Sequence, residues 1–181
     1  MLDTINFCVN SIVYERGWAA AMLCPLRIRL QGAGMPQSQP LTIDDISEGQ
    51  VASFRTTIDQ AAVDAFAALT GDTNPLHTDE RFAKRRGFDR RVVHGALLGG
   101  YVSRLIGLEL PGTNCLLQSM RMKFLKPAYV DDEIEVKVIV TQVSRAVAVM
   151  VADVIISRVS DGERLATGQV QTGFTSERNV Q

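Results

Sequence analysis

Val92-Val93-His94-Gly95-Ala96-Leu97-Leu98-Gly99-Gly100-Tyr101-Val102-Ser103-Arg104-Leu105-Ile106-Gly107-Leu108 reads as a helix that is apolar nearly all round. Only His94, Ser103 and Arg104 carry strongly polar side chains. A helix of that kind must be wrapped by other structure. It is too short and too interrupted to span a bilayer, which takes roughly 20 apolar residues. Gly95, Gly99, Gly100 and Gly107 lower its helix propensity, so they mark places where a sheet or a ligand comes close.

What wraps this helix is legible downstream. After Pro111-Gly112 the pattern becomes β. Leu116–Leu125 sets Met120, Met122 and Phe124 against Arg121 and Lys123, and Glu133–Val143 sets Ile134, Val136, Val138 and Val140 against Glu135 and Lys137. Ala146–Val159 is rich in Val and Ile, and Arg164–Phe174 follows. Turns fall at Lys126-Pro127, Asp131-Asp132, Ser144-Arg145 and Ser160-Asp161-Gly162, the last a hairpin signal. Short turns between neighbouring strands imply an antiparallel sheet. Upstream, Val51–Thr57 reads as a strand, and Thr57 or Asp59 can cap a helix over Gln60–Leu69. Thr70–Thr78 is turn chemistry, and Asp79–Arg86 is a short helical turn ended by Gly87. The expected architecture is α+β: a curved antiparallel sheet around one long apolar helix. The organised domain is expected over residues 41–175, after an N-terminal extension at 1–40 and before a tail at 176–181. Gly32–Pro40 is a linker by composition, and Met35 is a candidate start.

Composition excludes several classes. The chain has 181 residues, 46% hydrophobic and 22% charged, with a net charge of −1. That balance gives no electrostatic case for nucleic acid or membrane binding. Cys8, Cys24 and Cys115 lack CxxC spacing and are odd in number, which argues against a disulfide framework or zinc site and for a reducing cytoplasm. Cys115, in an apolar run, reads as a buried small hydrophobe. Asp3, Glu15 and Arg16 do not fit a signal peptide.

The chemistry is expected in Thr70–Gly95. His77 and His94 are the two histidines of the chain. Pro75 drives Asn74 out of the helical region, so the loop bends and Asp72 can converge with His77. A carboxylate and an imidazole meeting on one water can activate it, one group taking its proton and the other orienting it. On spacing alone, Asp-x-Asn-Pro is more often simply a turn. His94 and Gly95 open the apolar helix, where unpaired N–H groups and the dipole favour negative charge. Gly95 would let a carbonyl approach that backbone, forming an oxyanion-type site. His94 itself reads better as a capping or core histidine than as a proton carrier. Lys84, Arg85, Arg86, Arg90 and Arg91 form a basic cluster that suits either phosphate contacts or a solvated face. Leu97, Leu98, Tyr101 and Met120 are candidate pocket-lining residues.

Gly71-Asp72-x-Asn74-Pro75-x-His77 followed by Val93-His94-Gly95, with Phe82 and Gly87 between, resembles the signature of MaoC-like, (R)-specific enoyl-CoA hydratases. Phe124-x-x-Pro127 and Asp131-Asp132 extend the similarity, which covers about residues 41–175. The composite motif is specific; either half alone is weak. The resemblance implies the hotdog fold and a homodimer with one continuous sheet. It implies a trans-2-enoyl thioester of CoA, or of an acyl carrier protein, as substrate and a (3R)-hydroxyacyl thioester as product. By the same resemblance Asp72 and His77 activate water, Asn74 shapes the loop, Gly95 holds the thioester oxygen, and Ser103 matches an active-site serine of some members. No metal or redox cofactor is implied, since CoA is part of the substrate. The basic cluster would then meet CoA phosphates or an acidic carrier. The rival readings are a thioesterase on the same fold and a non-catalytic acyl-CoA-binding module.

Overall fold

The computed structural model describes residues 40–175. The expectations for the extension, its two cysteines and the tail lie outside the described residues, Pro40 excepted. Strand β1 (Val51–Thr57) leads into α1 (Gln60–Thr70), the short helices α2 (Pro75–Thr78) and α3 (Glu80–Arg85), and the long α4 (Gly95–Leu108). Strands β2 (Cys115–Phe124), β3 (Glu133–Ser144), β4 (Val149–Arg158) and β5 (Arg164–Phe174) follow. All pair antiparallel in one sheet of order β1-β3-β4-β5-β2. This is the sheet-around-helix arrangement expected from the sequence.

Alternation in the strands decides which face holds α4. Ile134, Val136, Val138 and Val140 of β3 are buried, as are Met150, Ala152, Val154 and Ile156 of β4. Their register places Val136 opposite Ile156 and Val138 opposite Val154, so one apolar face runs unbroken across both strands. Against it α4 buries Leu98, Val102, Leu105 and Ile106. Each such side chain stabilises the fold by about 1.5–3 kcal/mol, and a charge at Val102, fully buried, would break the packing.

Three details differ from the sequence reading. Residues Arg145 to Ala148 form a turn, with Ala148 at φ 48°, so β4 starts at Val149 instead of at Ala146. β2 pairs with β5, not with its sequence neighbour β3. Gly168 of β5 permits this close approach: a Cβ there would lie 2.3 Å from the Arg121 carbonyl oxygen. The third difference is in α4, which is not covered on every side. Ala96, Gly100 and Ser103 stay exposed along one stripe, and edge strand β2 leaves Leu116, Met120 and Phe124 exposed. Among the described residues no helix is long and apolar enough to cross a membrane.

Candidate active site

Local rules build the loop between α1 and α3. Asp59 caps α1 by accepting from the Ala62 N–H at 2.7 Å. Gly71 ends that helix at φ 75°, a left-handed conformation that favours glycine. The Asp72 carboxylate accepts from the Asn74 N–H at 3.3 Å. The Asn74 side chain accepts from the Leu76 N–H at 3.0 Å and caps α2, with Pro75 in its first turn. Pro75 thus starts a helical turn where the sequence suggested only a bend, and this turn carries His77.

His77 is held in one orientation. Its Nδ1 lies 2.7 Å from the Val92 carbonyl. A carbonyl only accepts, so Nδ1 carries the proton and Nε2 of the neutral ring keeps a lone pair. His94 is 2% exposed and stacks on His77 with ring centroids 3.8 Å apart. Its Nε2–H donates to the Asp72 backbone carbonyl at 3.0 Å, and Phe66 packs on its ring at 5.0 Å. His94 is therefore a buried brace between the two halves of the motif; it makes no side-chain cap bond on α4. Its Nδ1 is buried without a hydrogen-bond partner, and its Nε2 lies 4.0 Å from the Asp72 carboxylate.

Asp72, His77 and His94 each offer a ligating atom, all within 4.8 Å of one another. As a metal site this cluster is poorly built. The His94 nitrogen that faces Asp72, Nε2, carries the proton it donates to the Asp72 carbonyl and has no lone pair for an ion, and its Nδ1 is buried. As a water site it is well built: one carboxylate, half exposed, and one imidazole nitrogen lie within reach of a single solvent molecule.

Beside this cluster lies a cleft of about 410 Å³, bordered by His77, Val92, Gly95, Leu98, Phe124 and Pro127 among others. His77 brings a polar edge to an otherwise largely apolar wall, as suits an acyl chain presented to one reactive point. Gly95, the first residue of α4, has no intrahelical acceptor for its N–H. The Phe124 ring covers it so closely that a Cβ on Gly95 would sit 2.9 Å from a ring carbon.

The structure sorts the remaining candidates. Leu98 borders the cleft; Leu97, Tyr101, Met120 and Ser103 are not among its bordering residues, and Ser103 is exposed. Met120 instead approaches Gly99, 3.5 Å from where its Cβ would be. The basic cluster divides. Lys84 pairs with Glu80, while Arg85 and Arg86 flank the Phe82 ring, and all three are exposed. Arg91 is largely buried, whereas the Arg90 side chain stays 44% exposed. Arg90 bonds Asp132 and the Val130 carbonyl, and Arg91, 8% exposed, bonds Asp64 and the His77 carbonyl. Sequence reasoning missed the Val92 carbonyl, because a backbone acceptor has no letter of its own. It also missed Phe124 as the cover of Gly95.

Below the cleft, Asp132 is 4% exposed and takes hydrogen bonds from Arg90, Arg158 and the Tyr129 N–H. Arg158 also bonds Asp161, Glu163 and the Pro127 carbonyl. Burial works against the Arg158 charge, but its hydrogen bonds to Asp161 and Asp132 outweigh that and raise its pKa. This network fixes the turn that carries Pro127 and Ala128 to the cleft.

Comparison with known proteins identifies relatives of this chain. The profile of the MaoC like domain matches residues 38–161. An (R)-specific enoyl-CoA hydratase of Rhodospirillum rubrum is 38% identical over 98 residues, covering 54% of this chain and 68% of that protein. A 3-hydroxybutyryl-CoA dehydratase of Methylorubrum extorquens is 34% identical over 108 residues, covering 60% of this chain and 69% of that protein. The solved (R)-hydratase from A. caviae involved in PHA biosynthesis superposes with a TM-score of 0.69 at 33% identity, covering 72% of this chain and 98% of that one.

Proposed function

The chain belongs to the MaoC-like family and is a hydro-lyase of its hydratase/dehydratase class, and we propose that it hydrates trans-2-enoyl-CoA to (3R)-hydroxyacyl-CoA and catalyses the reverse dehydration. The observation that carries this reading is the His77 Nδ1–H bond to the Val92 carbonyl, which leaves the lone pair on Nε2, in a ring that has a ligating atom within 4.8 Å of the Asp72 carboxylate.

In the proposed step, water is gripped by Asp72 and His77. His77 Nε2 draws off a proton as the water oxygen bonds to C3 of the enoyl group. The C2=C3 electrons move toward the thioester oxygen, where the Gly95 N–H and the N-terminal end of α4 stabilise the charge. The proton returns to C2 on the same face, so atoms and charge balance. Water addition is redox-neutral, so the step calls for no redox cofactor, and no metal is needed. Asn74 keeps the loop in register by capping α2. Ser103 and the exposed Lys84, Arg85 and Arg86 stand as proposed contacts: the serine with substrate, the three basic side chains with CoA phosphates or an acidic acyl carrier.

A second copy of the chain is proposed to cover Ala96 and Gly100 of the exposed stripe and the apolar side chains on the β2 edge. Pairing of β2 with its symmetry mate would continue the sheet and satisfy the edge.

Absorbance of the conjugated enoyl thioester of crotonyl-CoA tests the activity. The wild type should bleach it and yield a (3R) product, whereas Asp72→Asn should lose about 10³-fold or more in turnover with the fold intact. A normal rate in that variant would end the Asp72 assignment, and release of free thiol would point to thioester hydrolysis instead.

A further inference from the structure

Arg91 stands apart from the other arginines of its segment. Its side chain is 10% exposed, and its guanidinium bridges two elements that do not otherwise share a side-chain bond to it. One end pairs with Asp64 on α1. The other end, Nε–H, donates to the main-chain carbonyl of His77 at 2.6 Å. A helix of four residues cannot satisfy its own last carbonyls, so this donor comes from outside.

The backbone beside Arg91 completes the grip. The Val92 N–H donates to the Leu76 carbonyl at 3.0 Å, and the Val92 carbonyl accepts from His77 Nδ1–H at 2.7 Å. Arg91 and Val92 therefore hold Leu76 and His77 at three points, two on the main chain and one on the imidazole. Val93 is anchored in turn, its N–H donating to the Ala128 carbonyl at 2.8 Å. Loss of the guanidinium would free the His77 carbonyl and loosen the neighbouring Nδ1–H bond to Val92, leaving the stacking of His94 to hold the ring. The His77 ring would then shift, and Nε2 would drift from the water shared with Asp72.

We infer that Arg91 is a positioning residue: it clamps the His77 carbonyl to Asp64 and so sets the direction of the Nε2 lone pair. This rests on the hydration mechanism proposed above. Arg91 touches no reacting atom, so its effect should fall on turnover more than on substrate binding. Misplacement of a base by about 1 Å is enough to cost on the order of 10²-fold.

The experiment compares Arg91→Ala, Arg91→Lys and Asp64→Ala with the wild type on crotonyl-CoA. In folded Arg91→Ala, kcat should fall about 10- to 100-fold while KM stays within roughly threefold. Added methylguanidinium should restore part of it and methylammonium should not, because the site calls for a planar fork with two donors. Arg91→Lys should stay well below the wild type for the same reason. Asp64 is half exposed, so Asp64→Ala should fold even if Arg91→Ala does not, and it should lose about three- to tenfold in kcat. Wild-type kcat in folded Arg91→Ala, or in Asp64→Ala, would overturn the inference, as would a loss that follows the unfolded fraction and ignores guanidinium. Imidazole ¹⁵N–¹H spectra keep the two readings separate. The His77 Nδ1–H should be protected from exchange in the wild type and exposed in Arg91→Ala, whether or not crotonyl-CoA is turned over. Equal protection in both would refute the clamp.

Discussion

Gly95→Ala tests the proposed oxyanion site because it should split activity from stability. The added Cβ would lie 2.9, 3.0 and 3.2 Å from three carbons of the Phe124 ring, inside ordinary van der Waals contact. In a rigid core such overpacking costs about 1–3 kcal/mol. Phe124 is 52% exposed on an edge strand, so its ring can swing outward and relieve most of that. Gly95 does not adopt a positive φ, and alanine is favoured over glycine in a helix by up to about 1 kcal/mol. The two effects nearly cancel, and the net change in stability should stay within about 1 kcal/mol, a few degrees in Tm. Activity should behave differently. The methyl group and the displaced ring would occupy the approach to the Gly95 N–H, and loss of one such donor costs about 10²–10³ in kcat. Thermal melting followed by circular dichroism, beside the crotonyl-CoA absorbance assay, reads both quantities. Phe124→Leu is the control, since it removes the ring and leaves Gly95 untouched; it should cost less than about tenfold. A Gly95→Ala protein with wild-type kcat would refute the placement of the thioester oxygen at the start of α4.

Two further outcomes follow from the packing. Arg158→Met should destabilise the protein by roughly 3 kcal/mol, the low end for breaking a buried pair, because Arg90 and the Tyr129 N–H still serve Asp132; urea unfolding with an unchanged m-value would measure it. Leu116→Lys combined with Met120→Lys should turn the proposed dimer into monomers in analytical ultracentrifugation, since both side chains are exposed on the β2 edge. A double variant that sediments like the wild type would remove β2 from the interface.

The sequence by itself determined the elements and pointed to the candidate site. Period-2 alternation in Glu133–Val143 and the nearly all-apolar run to Leu108 need no tertiary information, because burial of one face or of a whole helix is written in the order of side chains. Asp72, Asn74, Pro75 and His77 could be singled out because turn and cap chemistry is local, acting over two to four residues. Contacts between distant segments decided the rest. The partner of His77 Nδ1 is a backbone carbonyl fifteen positions away, which any residue at Val92 could supply. Arg90 and Arg91 look like solvent-facing neighbours of Arg85 and Arg86 until the fold turns them onto Asp132 and Asp64. The pairing of β2 with β5 depends on a glycine that lets two backbones meet. In each case the deciding energy is a hydrogen bond or a close approach between remote parts of the chain, formed only once the sheet has closed around its helix.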